Sequence, residues 1–160
     1  EFKGKLRDFQ IAAMADLSRR DFASLQAPTG SGKTVVTLAL IADRKQPTLI
    51  IVHTKELLEQ WKARISEFLG IPCEEIGTIG NGKMQLGERI TVGIVNSVYK
   101  CASEIRERIG FLVVDECHRA PSRTFTEAVS ASSVLLAPSR PGALVRHARV
   151  RGIGAVPDPA

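Results

Sequence analysis

The chain has few cysteines and no long apolar run. Its three cysteines are widely spaced and form no C-x-x-C pair, so neither a disulfide framework nor a zinc site is expected. No apolar stretch approaches the ~20 residues that cross a bilayer. The opening residues E-F-K-G-K carry no apolar signal segment. These absences predict a cytoplasmic protein with no membrane association, and its 160 residues are enough for one domain core.

Positive charge is in modest excess and is unevenly distributed. The net charge is +5, and residues 131–160 supply four Arg against one acidic residue. Such an excess allows a phosphate-binding patch, but an ordinary solvated surface explains it equally well. Charge alone therefore does not identify a partner.

Strand-like and helix-like patterns alternate along the first 130 residues. Strands are predicted at 22–27, 48–52, 89–95 and 111–115, and helices at 5–20, 33–43, 55–69, 97–109 and 122–130. Residues 73–88 contain four glycines and are the least regular part, with a short strand near Ile76. The alternation predicts an α/β fold in which helices cover both faces of a mostly parallel sheet.

A glycine-rich loop joins the first predicted strand to the helix at 33–43. It reads A-P-T-G-S-G-K-T over residues 27–34 and departs from the P-loop pattern G-x-x-x-x-G-K-[ST] only at Ala27. Glycines let successive N–H groups face phosphates, and a helix N-terminus adds positive potential. The predicted nucleotide-binding residues are Pro28, Thr29, Gly30, Ser31, Gly32, Lys33 and Thr34. A chance Gly-rich turn before Lys-Thr is the alternative, which the strand–loop–helix context disfavours.

Two acidic residues follow the apolar run F-L-V-V. The strand carries Asp115 to the carboxyl edge of the sheet, where the P-loop also begins, so Asp115 and Thr34 are predicted Mg²⁺ ligands. Glu116 is placed to orient an attacking water, and Lys33, Asp115 and Glu116 form the predicted catalytic set. By itself, an acidic pair after an apolar run is commonly a strand end that enters solvent.

The motifs A-P-T-G-S-G-K-T and D-E-C-H together resemble motifs I and II of superfamily 2 helicases of the D-E-x-H type. The branch most similar contains the type III restriction subunits and the excision-repair helicases. This resemblance implies a RecA-like P-loop NTPase domain that uses ATP and Mg²⁺ and acts on nucleic acid, with DNA favoured over RNA. It also implies that His118 couples the nucleotide site to the nucleic-acid side, whereas an exposed loop histidine is the plainer interpretation.

Three further segments are similar to helicase motifs. L-R-D-F-Q resembles the adenine-recognition segment ahead of motif I, in which Arg7 and Gln10 would contact the base; a surface helix position is the alternative for Gln10. I-V-H-T-K-E-L-L-E-Q-W and I-V-N-S-V-Y-K resemble backbone-contacting motifs. They imply nucleic-acid contacts from Thr54, Lys55 and Ser97, with helix capping by Thr54 and Ser97 as the alternative. Trp61 is predicted to lie in the core rather than to stack on a base.

The resemblance stops near residue 131. The family's next strand ends in a Ser/Thr-Ala-Thr motif, but A-P-S-R-P-G-A-L-V-R follows here, and we expect these 160 residues to lack the family's second RecA-like domain with its arginine fingers. We therefore predict an incomplete ATP-binding domain at 1–130 and an atypical Ala/Arg/Pro-rich tail at 131–160. A reading-frame change near codon 131 would produce such a tail, and a disordered tail is the alternative.

Three functions are consistent with these motifs. The first is a nucleic-acid-dependent ATPase motor domain, which the D-E-C-H motif and the 51–61 segment favour. The second is a P-loop enzyme such as a kinase with a small-molecule substrate. The third is a non-catalytic ATP-binding fragment of a helicase, because the second domain supplies arginine fingers in that family.

Overall fold

The computed structural model describes residues 1–19, 23–26, 32–115 and 133–137. The helices are α1 (Asp8–Ser18), α2 (Lys33–Arg44), α3 (Lys55–Leu69) and α4 (Val95–Ile105), with a 3₁₀ turn at Arg106–Arg108. The strands are β1 (Ala23–Gln26), β2 (Thr48–Val52), β3 (Gly77–Gly80), β4 (Lys83–Gln85), β5 (Ile90–Ile94), β6 (Phe111–Val114) and β7 (Ser133–Ala137). The predicted helix at 122–130 lies outside the described residues.

One sheet contains all seven of these strands in the order β1-β7-β6-β2-β5-β3-β4. β2 pairs in parallel with β5 and β6, and β3 pairs in parallel with β5. β7 is antiparallel to both β1 and β6, and β4 is antiparallel to β3. β1, β6, β2, β5 and β3 therefore run in one direction, which confirms the predicted α/β class with a mostly parallel sheet.

Helices cover both faces of the sheet. In β2, Ile50 and Val52 pack in the core formed with α1, α2 and α3, whereas Leu49 packs with Val98 and Ile105 of α4 on the opposite face. Because successive strand side chains point to opposite faces, a strand buried on both sides needs the continuous apolar run T-L-I-I-V. The predicted three-layer architecture is confirmed.

The glycine-rich segment at 73–88 contains the hairpin β3–β4, whereas only a short strand near Ile76 was predicted there. Asn81 and Gly82 both have positive φ, 53° and 77°, as a two-residue turn between antiparallel strands requires. A Cβ at Gly77 would collide with the backbone N of Gly87, so this glycine permits a close approach of two chain segments. Glycines here build regular structure, although their number suggested irregularity.

The sheet extends beyond the domain boundary that we predicted near residue 131. β7 lies between β1 and β6, where Leu135 pairs with Ser24 on one side and Val114 on the other. The short apolar run S-V-L-L forms this strand, and the Ala/Arg/Pro-rich composition of the tail as a whole concealed it. The predicted change of reading frame is not tested by this strand and stays a prediction.

Candidate functional site

The predicted site residues within the described part of the chain lie at one edge of the sheet. β1, β2, β5 and β6 run in the same direction, so their carboxyl ends meet at this edge. Gly32 and α2 come after β1 in the chain, α3 begins three residues after the end of β2, and α4 and Asp115 follow the ends of β5 and β6 directly. In open α/β sheets ligands bind at the carboxyl ends of the strands. The topology therefore brings together segments that are up to 89 positions apart, from Gln26 to Asp115.

The start of α2 combines a left-handed glycine with a helix N-terminus. Gly32 is the N-cap residue with φ 77° and ψ 33°, and Lys33 is the first helical residue. The Gly32 carbonyl accepts the Val36 N–H at 3.1 Å, which closes the first turn. N–H groups of a first helical turn have no partner within the helix, and they are suited to phosphate oxygens. Lys33 and Thr34, which we predicted as phosphate and metal contacts, are both half-buried here.

Gln10 lies against this glycine rather than on a surface helix face. Its side chain is 5% exposed, and its Oε1 accepts a hydrogen bond from the Arg7 backbone N–H at 2.8 Å. Its Nε2 occupies the space that a Cβ on Gly32 would need. The surface interpretation of Gln10 is therefore wrong, and the residue joins the start of α1 to the start of α2. Arg7 is the N-cap of α1 and is exposed.

Two contacts fix Asp115 at the end of β6. Its backbone N–H donates to the Ile51 carbonyl at 3.0 Å, which continues the pairing with β2. Its carboxylate Oδ2 accepts a hydrogen bond from the Trp61 indole Nε1 at 2.8 Å. Trp61 is only 3% exposed, so its predicted core position is confirmed. Its polar contact with Asp115 was not predicted from the sequence, although a buried indole N–H generally needs an acceptor.

The predicted nucleic-acid contacts lie farther along the same edge. Thr54 is the N-cap of α3, and its Oγ1 accepts the Leu57 N–H at 3.2 Å; its contact with nucleic acid stays a prediction. Lys55 is exposed in the first turn of α3. Ser97 lies within the first turn of α4, which begins at Val95, so it is not a cap. Thr54 and Ser97 follow neighbouring parallel strands, β2 and β5.

Several predicted site residues lie outside the described part of the chain. They are Pro28, Thr29, Gly30 and Ser31 of the loop, together with Glu116 and His118. Within the described part, no helix is long and apolar enough to cross a membrane.

The donor set fits a magnesium nucleotide. The start of α2 supplies N–H groups and the Lys33 ammonium for phosphates, whereas Thr34 and Asp115 supply hydroxyl and carboxylate oxygens, which Mg²⁺ prefers. β1 and β6 are separated by β7, hence by two strand spacings of ~4.8 Å each.

A cavity of about 1010 Å³ lies away from this site. Its lining includes Pro47, Glu88 and Arg89, which precede β2 and β5 at the amino edge of the sheet. It is therefore on the opposite edge from Lys33 and Asp115, and it has no part in the chemistry considered for those residues.

The three-layer fold is that of a helicase RecA-like domain. The UvsW helicase from bacteriophage T4 superposes with a TM-score of 0.63 at 22% identity, over 75% of this chain and 46% of that one. The Sulfolobus solfataricus SWI2/SNF2 ATPase core, solved in complex with dsDNA, gives 0.59 at 22% identity, over 73% of this chain and 27% of that one. At these identities the likeness establishes the fold alone.

The sequence places the chain in a particular family. The family model described as type III restriction enzyme, res subunit, matches residues 3–137, so the chain belongs to this family and represents the N-terminal domain of a superfamily 2 helicase. The DNA 3'-5' translocase XPB2 of Sulfurisphaera tokodaii is 36% identical over 124 residues, 78% of this chain and 27% of that protein. Probable helicase D10 of Escherichia phage T5 is 33% identical over 106 residues, 66% of this chain and 23% of that protein. The predicted resemblance is confirmed, and the chain spans about a quarter of each relative.

Proposed function

We propose that this domain binds ATP–Mg²⁺ and hydrolyses ATP in response to bound nucleic acid, as the first motor domain of a DNA helicase or translocase. The observation that carries the proposal is the meeting of the α2 N-terminus, Gln10 and Asp115 at one sheet edge. The relatives support it, because they are described as helicases and as a DNA 3'-5' translocase.

Different residues bind the phosphates and the magnesium ion of the nucleotide. The Lys33 ammonium and the first N–H groups of α2 bind the phosphates, while Thr34 and Asp115 hold the metal. Bound Mg²⁺ supplies neutralisation of the developing phosphate charge. Glu116 follows Asp115 directly and orients the attacking water. Residues 28–31 complete the phosphate loop.

The base is recognised by the segment ahead of the loop. A glutamine amide can pair with both N6–H₂ and N7 of adenine. Gln10 lies against Gly32, the residue that begins α2. The residue that contacts the base is therefore packed against the residues that contact the phosphates. Arg7, the exposed N-cap residue of α1, also contacts the adenine base.

Nucleic acid binds along the same edge, at the starts of α3 and α4. Thr54, Lys55 and Ser97 face phosphates there, where helix N-termini and a lysine favour negative charge. The XPB2 relative is described as acting on DNA, and the SWI2/SNF2 neighbour was solved with dsDNA, so we propose DNA rather than RNA. His118 couples this surface to the nucleotide.

A second candidate is ATP binding without turnover. Arginine fingers from a second domain contribute ~10³–10⁵ to turnover in related P-loop enzymes. The chain covers 27% of XPB2. The remainder of a protein of that length has room for a second domain that supplies these arginines. The small-molecule kinase alternative gains no support from the family match.

Steady-state ATP hydrolysis with and without single-stranded DNA or RNA tests the proposal. Turnover should rise with DNA in the wild-type chain and disappear in Lys33→Ala, while Lys5→Ala, which removes an exposed lysine before α1, should behave as wild type. Turnover that no nucleic acid changes would refute nucleic-acid dependence. ATP binding without turnover in a folded chain would select the second candidate.

A further inference from the structure

The Trp61 indole is oriented toward a carboxylate at the nucleotide edge. The ring is buried in the core between α3 and the sheet, in contact with apolar side chains. Its Nε1 nevertheless donates to Asp115 Oδ2 at 2.8 Å, across 54 positions of sequence. Apolar packing therefore explains why the ring is buried, but it does not explain why the indole N–H points at Asp115.

Both anchors of Asp115 come from one strand–helix unit. The Ile51 carbonyl of β2 holds the backbone N–H of Asp115, and Trp61 of α3, the helix that follows β2, holds the carboxylate. Hydrogen bonds to an ionised acceptor are shorter and stronger than neutral ones. Since a carboxylate has two acceptor oxygens, the contact to Oδ2 fixes the side chain and leaves Oδ1 for another ligand.

We propose that Trp61 is a positioning residue for Asp115, holding Oδ2 so that Oδ1 faces the magnesium ion of a bound nucleotide. The inference rests on the proposed function, because it requires Asp115 to be a metal ligand. Outer partners of metal ligands orient them, and their loss typically costs ~10–100-fold in metal affinity or activity. Trp61 does not touch the nucleotide; it acts through Asp115.

The magnesium dependence of nucleotide binding separates this role from simple packing. The chain is titrated with Mg²⁺ in the presence of the fluorescent analogue mant-AMP-PNP, excited directly at the mant group. Trp61→Phe retains a buried ring without the N–H. Phe111→Leu is the matched control, since Phe111 is a fully buried aromatic at the other end of β6.

The expected result is a rise of roughly tenfold or more in the half-saturating Mg²⁺ concentration for Trp61→Phe. Its affinity for the analogue in EDTA should equal that of wild type, and Phe111→Leu should keep the wild-type Mg²⁺ dependence. A wild-type Mg²⁺ dependence in Trp61→Phe overturns the inference alone, provided that Lys33→Ala abolishes binding. Failure of the wild-type chain to bind, or full binding by Lys33→Ala, overturns the proposed function and this inference with it.

If Trp61→Phe does not fold, as judged by circular dichroism, the wild-type protein provides the test. Trp61 is the single tryptophan of the chain, so its emission reports on this indole alone. Adding Mg²⁺ in the presence of unlabelled AMP-PNP should change that emission, because a cation then shares the carboxylate that the indole contacts. The change should vanish in Asp115→Ala. Wild-type emission that is insensitive to Mg²⁺ while AMP-PNP is bound overturns the inference.

Discussion

Individual residues at the candidate site are held by contacts that serve no core-packing purpose. Gln10 is nearly fully buried although it is polar, and its amide lies between the start of α1 and Gly32. Buried polar groups cost free energy unless they are hydrogen-bonded, so such a placement is maintained by specific partners. Gly32 in turn has a backbone conformation that L-residues rarely adopt.

Gly32→Ala should abolish nucleotide binding and lower the free energy of unfolding. The left-handed conformation disfavours a Cβ by about 1–2 kcal/mol, and this Cβ would also collide with Gln10 Nε2. Gly82→Ala is a matched control, since Gly82 has the same φ of 77° but open space around its Cβ position. Urea denaturation and ATP binding of both variants check the prediction. Retained binding in Gly32→Ala would contradict it.

Cysteine reactivity should distinguish Cys73 from Cys101. Cys73 is exposed, whereas burial, with the nearby Glu104 charge, raises the pKa of the Cys101 thiol above its usual value. Since the thiolate is the nucleophile, iodoacetamide at neutral pH should label Cys73 in the native chain and leave Cys101 unmodified. Peptide mass spectrometry measures both sites. Equal labelling rates under native conditions would be inconsistent with this burial.

Much of the residue-level site could be predicted from sequence, and the exceptions share one cause. Gly32, Lys33 and Asp115 were identified because a strand, a loop pattern and a strand end are local signals. The Trp61–Asp115 hydrogen bond joins residues 54 positions apart, and only the packing of α3 beside β2 and β6 brings them together. Local patterns contain no information on which way a buried indole turns.

The described helices and strands of residues 1–115 follow local signals closely, except where glycines build a hairpin. α3 matches its prediction at both ends, with Thr54 as N-cap and Gly70 in the left-handed conformation after the last residue. α2 also ends on a left-handed residue, but this one is Lys45 with φ 51°. A side chain at this position is strained, whereas glycine is not.

Lys45→Gly should therefore stabilise the domain. Removing the Cβ at a left-handed C-cap should raise the free energy of unfolding by about 0.5–1 kcal/mol, after the entropic cost of glycine in the unfolded chain is counted. Lys62→Gly, in the interior of α3, should lower it by about 1 kcal/mol, because glycine disfavours helix there. Urea denaturation of the two variants should show opposite signs. If Lys45→Gly and Lys62→Gly both destabilise the domain, Lys45 is not strained at the end of α2.

β7 should be required for a cooperative fold. β1 pairs with β7 in the described sheet, so a chain ending at residue 131 leaves β1 without that neighbour and removes the strand beside β6. A chain ending at residue 140 retains β7 and serves as the control. Thermal unfolding followed by circular dichroism should show a cooperative transition in the longer chain and a much lower midpoint in the shorter one. Equal midpoints would mean that β7 contributes little.

At the scale of the whole molecule, the sheet gathers every described site residue at its carboxyl edge. The alternation of strands and helices predicted the three layers, because strands buried on both faces have a recognisable apolar run. It did not predict β7, whose short apolar run lies in the Ala/Arg/Pro-rich segment 131–160. The antiparallel direction of that strand was not predicted either. Strand direction depends on connections that no local pattern specifies.

We propose that this chain by itself binds ATP–Mg²⁺ at one site, whatever a second motor domain adds to turnover. Calorimetric titration with ATPγS in the presence of Mg²⁺ tests it most directly, with Lys33→Ala and Lys5→Ala as paired variants. We expect one site per chain in the wild type and in Lys5→Ala, and none in Lys33→Ala. No binding by a folded wild-type chain, or equal binding by Lys33→Ala, would contradict it.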